Sequence, residues 1–356
     1  MAGGGGTRLR PLSTAERPKP FLPLLPDGET LLQRTVARLR DLERDDPPAS
    51  MRVVVSAAWA PLVEAQVPGV RLVVEPEGRN TAAAIALAAL VGDGDPDEVM
   101  VVLPADHRID PAGEGLFRSL LDAAARGLTG RPFDVDGPLV TLGVEVKRAA
   151  TEYGYLRPDL DNGKVISGLQ AYPLEAFEEK PAPDRAEALL RMPGVAWNAG
   201  IFLWRRRAIV AALERFAPGV IAGVRLGLET GDLAGAYAAL PSRSIDYAGM
   251  EPAARDGLVV MAAMDVGCTD VGTWPALLEV LGAAGIEGGV VEAGTATEGS
   301  AGDLIVDRGP GGLVVREAAG GTITTDRPVA LLRGARGARP IVQALLDRCA
   351  AAETHA

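Results

Sequence analysis

The sequence predicts an α/β fold, with a doubly wound, mostly parallel β-sheet followed by a small β-rich unit. Three observations support this prediction. Apolar strand-like runs alternate with helical stretches over the first two-thirds of the chain, and Gly-rich short runs follow Gly282. The third observation is size, because 356 residues, of which 47% are apolar, can bury one large core and a smaller appended one.

Four short apolar runs are predicted to be strands of the large sheet. They span residues 52–56, 70–74, 98–103 and 139–144. The runs are continuously apolar rather than alternating, which is typical of strands covered on both faces. Predicted helices lie between them, at 30–42, 81–91 and 116–125. Asn80 is a candidate N-cap for the second helix, since its side chain can accept a hydrogen bond from a backbone N–H of the first turn.

The C-terminal part has a different texture, so we predict a main domain over residues 1–282 and a small domain over residues 283–356. Short apolar runs at 303–306, 312–315 and 329–332 are separated by glycines. Closely spaced short strands with Gly turns predict a small all-β unit, with a β-helix as one candidate. A last helix is predicted over 340–351.

Composition excludes several functional classes. The net charge of −11 argues against non-specific nucleic-acid binding, which needs a basic surface. Cys268 and Cys349 are too far apart in sequence for a disulfide framework or a zinc motif, and His107 and His355 are too few for a His-based metal site. The sequence shows no signal peptide and no apolar run of membrane-spanning length, so we expect a cytoplasmic protein that binds no membrane.

A glycine-rich segment near the start is the strongest functional signal. It runs Gly3, Gly4, Gly5, Gly6, Thr7, Arg8, and Lys19 follows between two prolines. Glycines allow backbone N–H groups to approach an anion closely, and Arg8 and Lys19 can neutralise phosphate charge. The glycines alone would favour a flexible terminus, but the residues that follow favour a phosphate-binding loop. The pattern is neither a Walker loop nor a dinucleotide fingerprint.

Two further motifs follow predicted strands. Glu75-Pro-Glu-Gly-Arg79-Asn80-Thr81 joins a strand to a helix, where ligands bind in doubly wound sheets, although an ordinary capped turn is an equal alternative. Asp106 follows another strand, and Asp270 offers a second carboxylate. Carboxylate oxygens suit Mg²⁺, but an isolated Asp is as often a turn cap.

Three stretches are candidates for sugar binding. They are Tyr153-Gly154-Tyr155, Glu178-Glu179-Lys180-Pro181 and Trp197-Asn198-Ala199-Gly200. Carboxylates and amides can bind sugar hydroxyls, and a lysine can pair with a sugar phosphate. Each stretch alone is weak evidence, since the first is usually packing and the second a solvated turn.

Together, and in this order, these segments resemble the sugar-phosphate nucleotidyltransferase family from Ala2 to about Leu346. Within the family the resemblance is greatest to the mannose-1-phosphate guanylyltransferases, through the segments 75–81, 104–107 and 244–248. The resemblance implies a nucleotide-diphospho-sugar transferase domain, a small left-handed β-helix and a homodimer. It also implies GTP and mannose 1-phosphate as substrates, Mg²⁺ as cofactor, and GDP-mannose and pyrophosphate as products.

The resemblance further implies a role for each candidate residue. The catalytic residues are Arg8 and Lys19, and the metal ligands are Asp106 and Asp270. The nucleotide-binding residues are Gly3, Gly4, Gly5, Gly6, Thr7, Glu75, Arg79, Asn80 and Thr81. The residues that bind the sugar phosphate are Tyr153, Gly154, Glu179, Lys180, Asn198 and Gly200.

Two alternatives remain open at the level of sequence. One is a nucleotidyltransferase that uses another base or another sugar 1-phosphate, and the other is a non-catalytic nucleotide-sugar-binding regulator. Members of the family have a strand directly before the glycine-rich loop, whereas this sequence begins at the loop. We therefore expect the natural start to lie upstream of Met1.

Overall fold

The computed structural model describes residues 1–40, 50–92 and 94–354. The α-helices are α1 Leu31–Arg40, α2 Ala60–Gln66, α3 Asn80–Leu90, α4 Glu114–Leu128, α5 Pro183–Leu190, α6 Arg206–Phe216, α7 Pro218–Thr230, α8 Leu233–Ala238, α9 Glu251–Arg255, α10 Trp274–Val280 and α11 Arg339–Thr354. The strands are β1 Arg52–Ser56, β2 Arg71–Glu75, β3 Val99–Val102, β4 Leu139–Glu145, β5 Gly154–Pro158, β6 Lys164–Ile166, β7 Leu169–Glu179, β8 Ala196–Arg205, β9 Val259–Ala263, β10 Glu287–Val291, β11 Ala296–Gly299, β12 Leu304–Gly309, β13 Gly312–Glu317, β14 Gly321–Thr324 and β15 Val329–Arg333.

The large sheet is mixed, so the α/β class is confirmed but the expectation of a mostly parallel sheet is wrong. Its strand order is β3-β8-β4-β9-β7-β5, with β6 on β7. Only β4 and β9 pair in parallel within it among the described residues. The physical reason is that two strands run against their neighbours: β8 lies between β3 and β4, and β7 lies between β9 and β5, each antiparallel to both. Strands β1 and β2 form a separate parallel pair.

Most of the predicted elements occur close to their predicted positions. Strand β1 has the predicted bounds, and β2 starts one residue later than predicted. The end predicted for the first helix, at Leu42, lies outside the described residues. Asn80 is not the N-cap: it is the first residue of α3, has φ +66°, and its side chain accepts from the adjacent N–H of Thr81.

The first two residues connect the β1–β2 pair to the large sheet. The N–H of Ala2 donates to Val54 O at 2.8 Å, and the N–H of Ala105 donates to Met1 O at 2.9 Å. Ala2 is fully buried in a cluster with Val53 and Val55. Because Ala105 directly precedes Asp106, the same contacts fix the backbone beside that carboxylate.

The C-terminal strands form two antiparallel sheets, one ordered β10-β15-β12-β13 and the other β11-β14. The all-β unit is therefore present, but these pairings do not confirm a β-helix, whose coils stack in parallel. Leu9 and Leu12 pack in one apolar cluster with Leu304, Val306 and Leu345. The domain boundary at 282/283 stays a prediction. No helix among the described residues is long and apolar enough to cross a bilayer.

Candidate functional site

A cavity of about 210 Å³ opens where β5, β7 and β8 meet the segment after β9. Its walls include many of the residues that the sequence assigned to the sugar phosphate or the metal. These are Tyr153, Gly154, Glu179, Asn198, Gly200 and Asp270. The structure therefore brings together side chains that are more than one hundred residues apart in sequence.

Lys19 links the two predicted metal ligands. Its side chain is buried, and its Nζ donates to Asp106 Oδ2 at 2.8 Å and to the main-chain oxygen of Asp270. Burial disfavours the charged form of Asp106, but the charge of Lys19 and the hydrogen bond that it donates outweigh burial and lower the pKa of that carboxyl. Asp106 is therefore ionised at neutral pH and stands beside Asp270.

Asp270 is held by contacts from three directions. Its Oδ1 accepts from the Tyr153 hydroxyl at 2.9 Å and from the Gly272 N–H at 3.2 Å, and its Oδ2 lies 3.6 Å from the Arg8 guanidinium. Burial and the charge of Asp270 raise the pKa of Tyr153, so its hydroxyl keeps its proton and donates. A Cβ atom at residue 272 would overlap the ends of the Asp270 and Arg8 side chains, so a larger residue than Gly272 would displace these two groups.

The glycine-rich loop is closely packed at Gly6 and open to solvent at Gly3 and Gly4. Gly6 has φ +58°, and a Cβ atom there would lie 2.7 Å from Lys19 Cβ. The Ser13 hydroxyl donates to the Gly6 carbonyl at 2.7 Å. A Cβ atom at Gly3 or Gly4 would meet nothing within 4 Å. The close approach at Gly6 places the half-exposed Arg8 side chain next to Asp270.

Asn198 is oriented by hydrogen bonds at both ends of its amide. Its Oδ1 accepts from the Thr141 hydroxyl at 2.8 Å and from the Gly200 N–H at 3.1 Å. Its Nδ2 donates to Asp246 Oδ1 at 2.9 Å. Gly200 has φ +65°, a conformation that favours glycine. The amide on the cavity wall therefore has one fixed orientation.

Glu179 and Lys180 form an ion pair beside the cavity, with Nζ 2.7 Å from Glu179 Oε1. The Glu179 side chain is 6% exposed and the Lys180 side chain 51%. Burial raises the pKa of Glu179, and the nearby Asp246 raises it further. Burial opposes the charge of Lys180, but the bond to Glu179 outweighs burial and raises the lysine pKa. A charged amine is thus kept next to a buried carboxyl group.

Comparison with known protein families gives a match over most of the chain. The family model described as nucleotidyl transferase matches residues 1–284. The chain belongs to the nucleotidyl transferase family. The matched range contains every candidate site residue described above.

Several known proteins resemble this nucleotidyl transferase. It is 37% identical over 299 residues to mannose-1-phosphate guanylyltransferase ManC of Salmonella typhimurium and 36% identical over 298 residues to the Escherichia coli K12 mannose-1-phosphate guanylyltransferase. Each match covers 79% of this chain and 58% of the relative, so the chain spans little more than half the length of these relatives. A crystal structure described as mannose-1-phosphate geranyltransferase from Thermus thermophilus has a TM-score of 0.67 and 34% identity, covering 79% of this chain and 77% of that one.

Three residues that were predicted to bind the nucleotide form hydrogen bonds within the protein in this nucleotidyl transferase. The Thr81 hydroxyl accepts from the Ile245 N–H at 2.8 Å, and the Arg79 guanidinium bonds Glu77 and the carbonyl of Ala238. Asn80 bonds the neighbouring backbone. None of the three is part of the cavity wall formed by the sugar-side residues. They lie at the start of α3, and Thr81 holds the segment that carries Asp246.

Glu75, the first residue of the same motif, is a buried acid. It is 6% exposed, and its Oε1 has no hydrogen-bond partner among the described residues. Burial raises the pKa of Glu75 to about 7. Because burial of a carboxylate is unfavourable, Glu75 is only about half ionised at neutral pH, although the Tyr237 hydroxyl partly offsets the cost of burial.

Several residues of the cavity wall had no role assigned to them from the sequence. Asp246 lies there in a π-helical turn, Asp246–Met250, and burial raises its pKa. Its segment, 244–248, carried the family resemblance, but no role was assigned to it. Trp197 packs on Tyr153 with ring centroids 5.0 Å apart. The Cys268 thiol lies 3.8 Å from Nδ1 of His107. Local spacing gave no signal for these contacts, because each partner comes from a distant segment.

Proposed function

We propose that this chain transfers GMP from GTP to mannose 1-phosphate, forming GDP-mannose and pyrophosphate. One observation carries the proposal: Asp270 belongs both to the charged cluster with Arg8, Lys19 and Asp106 and to the wall of the cavity. Such a site can hold phosphates at one end and a sugar at the other. The names of the guanylyltransferase relatives support the choice of both substrates.

The reaction needs positioning and charge neutralisation rather than a general base. A phosphate oxygen of mannose 1-phosphate attacks the α-phosphorus of GTP. The new P–O bond forms while the bond from the α-phosphorus to the bridging oxygen breaks, and pyrophosphate leaves with that electron pair. The nucleophile is already anionic, so no proton has to be removed. In this proposal Arg8 and Lys19 stabilise the charge on the phosphates.

The donor set of the charged cluster fits Mg²⁺. Asp106 and Asp270 supply carboxylate oxygens, which Mg²⁺ prefers. The described residues contain no cluster of three or more acidic, His or Cys side chains that could hold a metal. Mg²⁺ held by the two carboxylates would therefore be completed by substrate phosphates and water. A bound Mg²⁺ would neutralise phosphate charge, and the Tyr153 hydroxyl would keep Asp270 oriented.

The cavity is proposed to bind the mannose. Glu179 and Asn198 can bond the sugar hydroxyls, and Trp197 gives an apolar surface next to Tyr153. Lys180 is proposed to pair with the phosphate of the sugar, because its half-exposed amine lies beside the buried Glu179. A Cβ atom at residue 154 would collide with the Glu179 carboxylate, so Gly154 leaves room for Glu179 at the wall of the cavity.

The nucleotide is proposed to bind between the glycine-rich loop and the start of α3. The open backbone of Gly3, Gly4, Gly5 and Thr7 would face the triphosphate. Glu75, Arg79, Asn80 and Thr81 would line the nucleoside side. Here Thr81 would act through the segment 244–248 that it holds, while Arg79, whose side chain is 26% exposed, could reach the ligand directly.

A substrate panel tests the proposal. Pyrophosphate release is measured with GTP, dTTP, UTP and ATP, each with mannose 1-phosphate or glucose 1-phosphate. We expect GTP with mannose 1-phosphate to give the highest kcat/KM. A preference for another pair would establish a nucleotidyltransferase of different specificity and contradict the guanylyl assignment. No turnover with any pair, together with measurable nucleotide-sugar binding, would favour the non-catalytic regulator.

Two expectations drawn from the sequence stay predictions. One is a homodimer, which light scattering coupled to size-exclusion chromatography would test. The other is a cytoplasmic location, which cell fractionation would test.

A further inference from the structure

Distant side chains hold three consecutive carbonyls directly after the glycine-rich loop. The Trp274 indole N–H donates to Arg10 O at 2.9 Å. The Arg308 guanidinium donates through Nε to Pro11 O at 3.0 Å and through an Nη atom to Leu12 O at 3.4 Å. Arg308 belongs to β12 of the C-terminal unit, so that unit contacts the backbone of the loop almost 300 residues away in sequence.

The Arg308 guanidinium is itself held by the last helix. Its two Nη atoms pair with the two carboxylate oxygens of Glu353, at 3.1 and 2.8 Å. This bidentate geometry fixes the plane of a guanidinium group. Arg308 is 25% exposed, so the pair is partly shielded from water. Helix α11 therefore orients Arg308, and Arg308 then holds the loop backbone.

Packing reinforces the same connection. Leu9 and Leu12 are fully buried in the apolar cluster that contains Leu304, Val306 and Leu345. The downstream end of the loop therefore rests on β12 and α11, whereas Ala2 attaches its upstream end to Val54 and the glycines Gly3 and Gly4 between the two ends lie open. The position of Arg8, one residue before Leu9, depends on this downstream attachment.

We propose that Arg308 is a positioning residue, which sets the glycine-rich loop and Arg8 for binding of the nucleoside triphosphate. Glu353 fixes the orientation of Arg308. The C-terminal unit thereby contributes to nucleotide affinity without touching the nucleotide. This inference rests on the proposed function of the loop as the triphosphate site.

The test compares three variants. Arg308→Met keeps the apolar stem but removes all five donors, and Arg308→Lys keeps the charge but has no planar fork. Arg327→Met is the matched control, because Arg327 lies in the same unit and pairs with Asp307 at 2.9 and 3.3 Å. Amide hydrogen exchange of residues 9–13 and the Kd for GTP are measured for each folded variant.

We expect Arg308→Met to raise the Kd and KM for GTP about tenfold, the effect of losing one to two hydrogen bonds, with the KM for the sugar phosphate within about twofold. Residues 9–13 should exchange faster in this variant, Arg308→Lys should restore part of the affinity, and Arg327→Met should match the parent. Unchanged exchange and GTP affinity in folded Arg308→Met would overturn the proposal. So would an equal loss in Arg327→Met, or an equal rise in KM for both substrates.

The exchange measurement needs no turnover, so it separates this proposal from the proposed function. If the parent binds GTP but transfers GMP to no sugar phosphate, the proposed function is wrong. The role of Arg308 in holding the loop can still be confirmed in that case. If Arg308→Met does not fold, Glu353→Gln replaces it. That variant should raise the Kd for GTP about threefold, because Arg308 keeps its loop contacts but loses its bidentate partner. An unchanged Kd in Glu353→Gln would contradict the role given to the helix.

Discussion

Replacing Glu75 by glutamine should stabilise the protein in alkaline but hardly in acidic solution. Glu75 is 6% exposed, and one of its carboxylate oxygens has no partner among the described residues. Burial raises its pKa from an ordinary 4.5 to about 7. The folded state therefore keeps a proton that the unfolded chain releases, and stability is lost as the pH rises from about 4.5 to about 7. The amide side chain of the variant would carry no charge at either end of this pH range.

The size of the effect follows from the pKa difference. Between pH 5 and pH 8 the raised pKa costs the parent about 2.5 kcal/mol of unfolding free energy, at about 1.36 kcal/mol for each pKa unit. A chain of this length has an unfolding entropy of about 0.7 kcal/mol/K, so the cost corresponds to about 3 °C in Tm.

Differential scanning calorimetry at pH 5 and pH 8 measures the difference in Tm between Glu75→Gln and the parent. We expect the Tm of the variant minus the Tm of the parent to be about 3 °C higher at pH 8 than at pH 5. Glu64→Gln is the control, because Glu64 is exposed on α2 and its loss should have the same small effect at both pH values. The reasoning is refuted if Glu75→Gln gains nothing at pH 8 relative to pH 5, or if the control shows the same gain.

Three further predictions concern activity. Gly6→Ala should lower kcat/KM at least about 100-fold, because a Cβ atom would lie 2.7 Å from Lys19 Cβ at a φ of +58°; retention of a tenth of the activity would contradict the close approach. Tyr153→Phe removes the 2.9 Å bond to Asp270 and should lower kcat about tenfold, which an unchanged pre-steady-state rate would disprove. Lys180→Ala should chiefly raise the KM for mannose 1-phosphate, and an initial-rate study that found the change only in the KM for GTP would rule out its placement.

The sequence predicted the elements whose signal is local. Val53, Val54 and Val55 form a continuous apolar run, and β1 has the predicted bounds. The small glycine-separated strands after residue 282 were likewise predicted by composition. In each case the side chains of a few neighbouring residues decide whether the segment can be a strand.

The pairing of strands depends on distant segments, and there the sequence was misleading. Strand β8 runs between β3 and β4, although β4 lies before it and β3 earlier still in the chain. Nothing in residues 98–103 or 139–144 encodes that insertion. The continuous apolar character is the same for a strand buried between antiparallel neighbours as for one between parallel neighbours, so periodicity could not separate the two.

The residues of the candidate site also divide into those with a local sequence signal and those whose contacts come from distant segments. Lys19, Asp106 and Asp270 were proposed from residue type and family resemblance, and the structure brings them together. Asp246 was missed as a site residue because its importance arises from its bond to Asn198, 48 residues earlier. Whether each of these residues binds substrate or metal stays a prediction.

Analysis of the reaction products by mass spectrometry tests the central claim most directly. The purified chain is incubated with GTP, mannose 1-phosphate and Mg²⁺, and the same mixture is treated with the Asp106→Asn/Asp270→Asn double variant. We predict GDP-mannose and pyrophosphate in equal amounts from the parent, and at least about 1000-fold slower formation by the folded double variant, in which both metal carboxylates are lost. Absence of GDP-mannose with the parent, or equal rates with both proteins, would contradict the account.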